Sequence, residues 1–161
     1  MSGRWTHSCR NHNIRLSRTN AIHVAASAES GQFLETISRN GVEFTTSIYM
    51  QDKYGNAPLH LAAERDSAEI FVCLMFSINW EKARLDLTKT LLEMDNKGMT
   101  VFHRAALNGR VAVTKTILRW AEKISQLPAI LIDIQDDEVR IPLEIAKTRE
   151  FENLIDILSR L

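Results

Sequence analysis

The chain is poor in most of the residue types that mark a specialised protein class. It holds two cysteines, Cys9 and Cys73, with no paired spacing, which excludes a disulfide framework and fits a reducing compartment, cytosol or nucleus. Three prolines and six glycines are too few for a collagen-like or linker-rich chain. There is no excess of either charge: Lys plus Arg and Asp plus Glu are 20 each. Binding dominated by nucleic-acid phosphates needs a surplus of cations on one face, so no direct nucleic-acid partner is expected. The longest uncharged apolar run, Ile70 to Trp80, is interrupted by Ser77 and Asn79 and falls short of the roughly 20 residues a bilayer span requires. Met1 is followed by a polar, arginine-dotted stretch rather than an apolar segment, so neither a secretory leader nor membrane attachment is expected.

What remains is an ordinary folding composition: 161 residues, 45% hydrophobic and 25% charged. A compact chain of this size buries roughly 70% of its unfolded surface and needs no staple. Charge is uneven along it. Residues 1–28 carry Arg4, Arg10, Arg15 and Arg18 and no acid, whereas residues 129–161 carry eight acids against four bases. In an elongated molecule that asymmetry makes a dipole along the long axis.

The main signal is an internal repeat. RLSRTNAIHVAA (15–26), DKYGNAPLHLAA (52–63), DNKGMTVFHRAA (95–106) and DDEVRIPLEIAK (136–147) align without gaps. His23, His60, His103 and Glu144 share one column, at intervals of 37, 43 and 41 residues. Each segment is followed by a second stretch whose apolar residues recur at i+3, i+4 and i+7, such as Val111, Val113, Ile117, Leu118 and Trp120, the stripe of an amphipathic helix. The expected unit is a polar hairpin turn, a short helix, a tight turn, a longer helix and a loop. Strand-like alternation is confined to short pieces such as Ile130–Ile134.

Gly55-Asn56-Ala57-Pro58-Leu59-His60-Leu61-Ala62-Ala63 and Gly98-Met99-Thr100-Val101-Phe102-His103-Arg104-Ala105-Ala106 resemble the ankyrin repeat. The resemblance runs over residues 15–161, with repeats starting near 15, 52, 95 and 136, and leaves 1–14 as a basic N-terminal arm. It implies an all-α solenoid of about four helix-turn-helix repeats joined by hairpin loops. The first and fourth repeats lack the hairpin glycine, as end units with one open face can. Gly55 and Gly98 suit a tip with positive φ, Pro58 a first helical turn, and the paired alanines close helix approach. By resemblance, the histidines bond to the next repeat's backbone. Against a unit of about 33 residues, the intervals carry roughly 4, 10 and 8 extra residues, expected as loops at 42–50, 77–93 and 125–132, with the second helix of repeat two running long into 79–93.

No chemistry-bearing constellation stands out. Ligand nitrogens lie about 2 Å from a metal, while stacked repeats are about 10 Å apart, so the histidine column holds no common ion. His7, Cys9 and His12 lack further ligands, and Asp136, Asp137 and Glu138 are expected as a solvated acidic tip. No phosphate-loop, dinucleotide, zincin or nucleophile-elbow motif occurs. Neither catalytic residues nor a cofactor nor a metal is expected.

A repeat stack presents one extended face of hairpin tips and short helices, suited to protein binding. The expected contact positions are Lys53, Tyr54 and Asn56 on the second hairpin and Asn96, Lys97 and Met99 on the third. On the inner helices they are Glu64, Arg65, Arg104, Leu107 and Asn108. Tyr54, Met99 and Leu107 are the expected apolar anchors. The short array with long loops resembles the viral I-kappa-B-like ankyrin proteins of polydnaviruses. That resemblance implies sequestration of a Rel/NF-kappa-B dimer and suppression of a host immune response, by a protein monomeric when free and cytoplasmic or nuclear. No D-S-G-x-x-S degradation signal is present, so release through such a signal is not expected. The alternative is an adaptor or microbial effector that recruits an unrelated host protein.

Overall fold

The structure is a computed structural model that describes residues 21–27, 49–65, 68–77, 84–124 and 126–161. The described residues are helical, with no strand among them. Four short inner helices repeat along the chain: α1 (Ala21–Ser27), α2 (Pro58–Glu64), α5 (Val101–Leu107) and α8 (Pro142–Thr148). Outside them lie α3 (Ala68–Ser77), α6 (Val111–Ala121) and α9 (Glu152–Leu158), with α4 (Arg84–Leu92) and α7 (Leu127–Asp133) between repeats.

Seven-residue helices are too short to be stable alone, so their stability comes from stacking. α1 packs on α2, α2 on α5 and α5 on α8, while α3 lies against α6. The alanine pairs permit this approach: Ala26, Ala62, Ala63, Ala105 and Ala106 are buried. Leu59 and Phe102 enter the core as expected, and one cluster runs from Ile22 to Leu158. In α6 the stripe Val113, Ile117, Trp120 and Ala121 is buried, while Ala112, Lys115 and Arg119 face solvent. Cys73 is half-buried against this core.

The helix expected to run from repeat two into 79–93 is found over 84–92, as an element of its own, whereas the loop expected at 125–132 contains a helix. Residues 84–92 form α4, which packs on α5, and 127–133 form α7, which packs on α4, α6 and α8. The strand-like alternation at 130–134 gives way to helix because Pro128 sits in the first turn and Leu127 and Leu131, one turn apart, are both buried. Period-two hydrophobicity over five residues does not outweigh an i,i+4 pair that reaches the core. The arm 1–14 with His7, Cys9 and His12, the turn of the first repeat, its second apolar stretch at Phe33, Leu34 and Ile37, Trp80 and most of the 42–50 insertion lie outside the described residues.

Candidate functional site

Each of the turns that precede α2, α5 and α8 is built around an aspartate. Asp52 Oδ1 accepts from the backbone N–H of Tyr54 and Asn56 at 2.8 and 2.9 Å. Asp95 Oδ1 does the same for Lys97 and Met99 at 2.7 and 3.1 Å, and Asp136 Oδ1 for Glu138 and Arg140 at 2.9 Å each. A carboxylate that accepts two backbone donors two and four residues on pins the turn. Asp136 is therefore buried and structural, a correction to the fully solvated acidic tip; Asp137 and Glu138 alone of the three are exposed. Burial by itself would raise the Asp136 carboxyl, but Arg140, bonded at 2.7 Å, and the turn amides outweigh it and hold the carboxyl below its usual value.

Consecutive turns are bonded to one another. Asn96 N–H donates to Tyr54 O at 3.0 Å and Asp137 N–H to Lys97 O at 3.1 Å. The histidine column makes the second tie. His23 Nε2 meets Asn56 O at 2.9 Å, His60 Nε2 meets Met99 O at 3.2 Å and His103 Nε2 meets Arg140 O at 3.1 Å, each in the following turn. Nδ1 of His60 and of His103 accepts the N–H of Ala57 and Thr100, at 3.2 Å each. With Nδ1 accepting, the ring is neutral and Nε2–H donates. Burial lowers the pKa of both rings, opposed for His60 chiefly by Asp95 and for His103 by the bond to Arg140 O.

The positions expected to contact a partner divide into two groups. Lys53, Tyr54, Asn96, Lys97 and Arg65 are exposed; Tyr54 is 59% accessible, with Lys53 Nζ 4.7 Å above its ring. Asn56 and Met99 are not on the open face, being 5% and 4% accessible. Both follow the turn glycine, where the chain folds back under the tip, and both give their carbonyl to a histidine. Met99 is thus no apolar anchor, and Leu107 is half-buried against the core. Arg104, expected to reach a partner, is a cross-link between repeats. Its guanidinium donates through Nε to Asp95 Oδ2 at 2.7 Å, through Nη1 to Glu64 Oε1 at 2.6 Å and through Nη2 to Asn56 Oδ1 at 2.9 Å. Its side chain is 14% accessible and the Asp95 side chain is fully covered. Glu64 is held at the edge of this network, and Asn108 Nδ2 donates to Arg104 O at 2.9 Å. The clue available in sequence was the pairing of Asp95 with Arg104 nine residues on; the distant partners, Glu64 and Asn56, left no local signal.

At the other end of the inner helices, an open notch of about 320 Å³ lies between Gly109, Val111, Phe151 and Leu154, rimmed by Glu150 and Glu152. Its lining holds no histidine, serine or cysteine, so it offers no nucleophile with an imidazole base. Among the described residues no group of three His, Cys, Asp or Glu converges as a metal site, and no helix is long and apolar enough to cross a membrane. Burial raises the pKa of the Glu93 carboxyl, against the pull of Lys89.

Helix pairs stacked through aspartate-pinned turns and a histidine ladder, with the turn tips open, make a repeat scaffold of the kind that serves as a protein-binding module. The family described as Ankyrin repeats (3 copies) matches residues 22–128, and the chain belongs to the ankyrin repeat family. The match stops before residue 136, yet α8 and α9 carry the same turn, stacking and inter-repeat bonds, so the geometry extends the array to a fourth unit. No curated protein matches the chain.

Proposed function

We propose that this ankyrin array is a non-catalytic I-kappa-B-like inhibitor that sequesters Rel/NF-kappa-B transcription factors, similar to the short viral ankyrin proteins of polydnaviruses, and so suppresses a host immune response. In this reading it is a monomer when free, acts in the cytosol or nucleus, and carries residues 1–14 as a basic arm on a repeat domain of 15–161. The observation that supports the binding role is the row of open side chains on successive turns and helix ends: Lys53, Tyr54, Arg65, Asn96 and Lys97 are exposed above backbone whose own hydrogen bonds are made. Such a surface offers an aromatic anchor and cations without sacrificing fold contacts.

Purified chain is expected to bind a Rel-homology dimer at micromolar concentration and to compete with its DNA. The triple variant Lys53→Glu, Arg65→Glu, Lys97→Glu should weaken binding about tenfold, three rim charges contributing roughly 0.5 kcal/mol each, with unchanged helical circular dichroism. Arg104 stays out of this set because its loss would unfasten two repeats. No binding at micromolar concentration removes the Rel reading. A different protein captured by the same face, and lost on the same reversals, would mark an adaptor or effector instead.

A further inference from the structure

The fourth repeat keeps the inward half of the repeat design and drops the outward half. In repeats two and three the turn glycine has positive φ, 79° at Gly55 and 67° at Gly98, and the next turn presses on it. A Cβ on Gly55 would lie 2.5 Å from Asn96 N, and one on Gly98 2.7 Å from Asp137 N and 2.5 Å from Asp137 Oδ1. The matching residue of repeat four is Val139, with φ 61° and 65% accessibility. A β-branched residue in the left-handed region is a costly choice. Its Cβ occupies the space that a following turn's amide would need.

The histidine column breaks at the same repeat. His60 and His103 each use Nδ1 to accept their own N-cap amide and Nε2 to bond a carbonyl of the next turn. Glu144 makes only the first of these bonds, Oε2 accepting the Ile141 N–H at 3.0 Å, and the residue is exposed. A carboxylate has no proton to give. Placed where His103 meets Arg140 O, it would face a carbonyl oxygen while losing its water, and burying an unpaired charge is strongly unfavourable.

We propose that the far face of repeat four is a cap, closed by Val139 and Glu144 to any further ankyrin repeat, whether from the same chain or from a second copy stacking end to end. The bindable surface is then bounded on this side: a partner meets the turn tips and inner helices laterally and does not continue the stack.

The test appends a second copy of residues 121–161 after Leu161. Leu161 aligns with Trp120, so the added copy continues the array in register. On the native face the copy should stay uncoupled: urea unfolding keeps the parent midpoint and m-value for the main transition, and amides of the copy exchange freely. In the extended Val139→Gly/Glu144→His variant, one transition is expected at a higher midpoint, with an m-value larger by about a quarter, the share of chain added. The unextended double variant, checked by circular dichroism, guards against simple misfolding. Cooperative unfolding of the extended native chain overturns the cap. If neither extended chain couples, the assignment of closure to Val139 and Glu144 falls.

Discussion

At the residue scale, the histidine ladder makes stability depend on pH in a definite direction. The folded pKa of His60 and His103 lies below the ordinary 6.5 because burial disfavours the cation. The unfolded chain therefore takes up protons first as pH falls, so the stabilisation is complete above about pH 6.5 and is lost below it. A proton placed on Nδ1 would meet the N–H of Ala57 or Thr100 head-on. Urea unfolding should show a midpoint that is flat from about pH 7.5 to about 6.5 and then falls, with a limiting slope of about 1.4 kcal/mol per pH unit for each ring. An unchanged midpoint at about pH 5.5 would show that the rings take up protons as readily in the native state as in the unfolded one. Asp136, whose folded pKa is depressed, contributes stability above the ordinary carboxylate range and loses it in stronger acid.

The left-handed turn positions give a paired expectation of opposite sign. Gly98→Ala should destabilise by about 2 kcal/mol or more, since left-handed backbone costs a side chain roughly 1–2 kcal/mol and the Asp137 amide leaves no room. Val139→Gly should stabilise by about 1 kcal/mol, relief of strain exceeding the entropy that glycine adds to the unfolded chain. Thermal denaturation of the two variants measures both signs, and destabilisation by both would mean that Val139 bears no strain at its φ of 61°.

At the element scale, α2 and α5 are joined by more than apolar contact. Arg104 spans from its own turn aspartate to Glu64 at the end of α2 and Asn56 in the preceding turn, and Arg110 Nε donates to Glu64 O at 2.9 Å. Arg104→Met keeps the stem and removes the charge, leaving the covered Asp95 carboxylate with only its turn amides. Breaking a buried pair from one side costs about 3 kcal/mol, and the loss should appear as a lower urea midpoint that added salt does not restore. A change within about 0.5 kcal/mol would place Arg104 among weak surface pairs instead. The Arg160–Asp156 pair is such a surface pair, exposed on both sides, and its removal is expected to have little effect.

At the scale of the whole molecule, stability is shared between neighbours. Removing residues 136–161 would uncover the α5 face that α8 covers and leave His103 Nε2 without its Arg140 acceptor. The shortened chain should melt several degrees lower and expose apolar surface to a hydrophobic dye, because in a one-dimensional stack each interface adds to the total. An unchanged midpoint would mean that repeat four folds as a separate unit. Of the eight acids in residues 129–161, Asp136 is consumed by its turn, while Asp133, Asp137, Glu138, Glu144, Glu150, Glu152 and Asp156 remain exposed. Because Asp136 is paired with Arg140, its burial removes one charge of each sign and leaves the acidic excess of residues 129–161 unchanged.

The repeat itself was determined by sequence alone. The histidine column, the alanine pairs and the glycine tips are local requirements repeated in register, and each maps onto one inner helix and one turn. Helix boundaries there follow from Pro58, Pro142 and the Thr100 cap. Only the tertiary structure decided which of the expected contact residues serve the fold and which stay exposed. Asn56, Met99 and Arg104 sit in hydrophilic or variable columns, but their burial is set by the neighbouring repeat some forty residues away, beyond the reach of any local period. The same distance hid α7, whose Leu127 and Leu131 are buried by the faces of α4, α6 and α8 that the stack places beside them; α4 was signalled by the helix-friendly run 79–93.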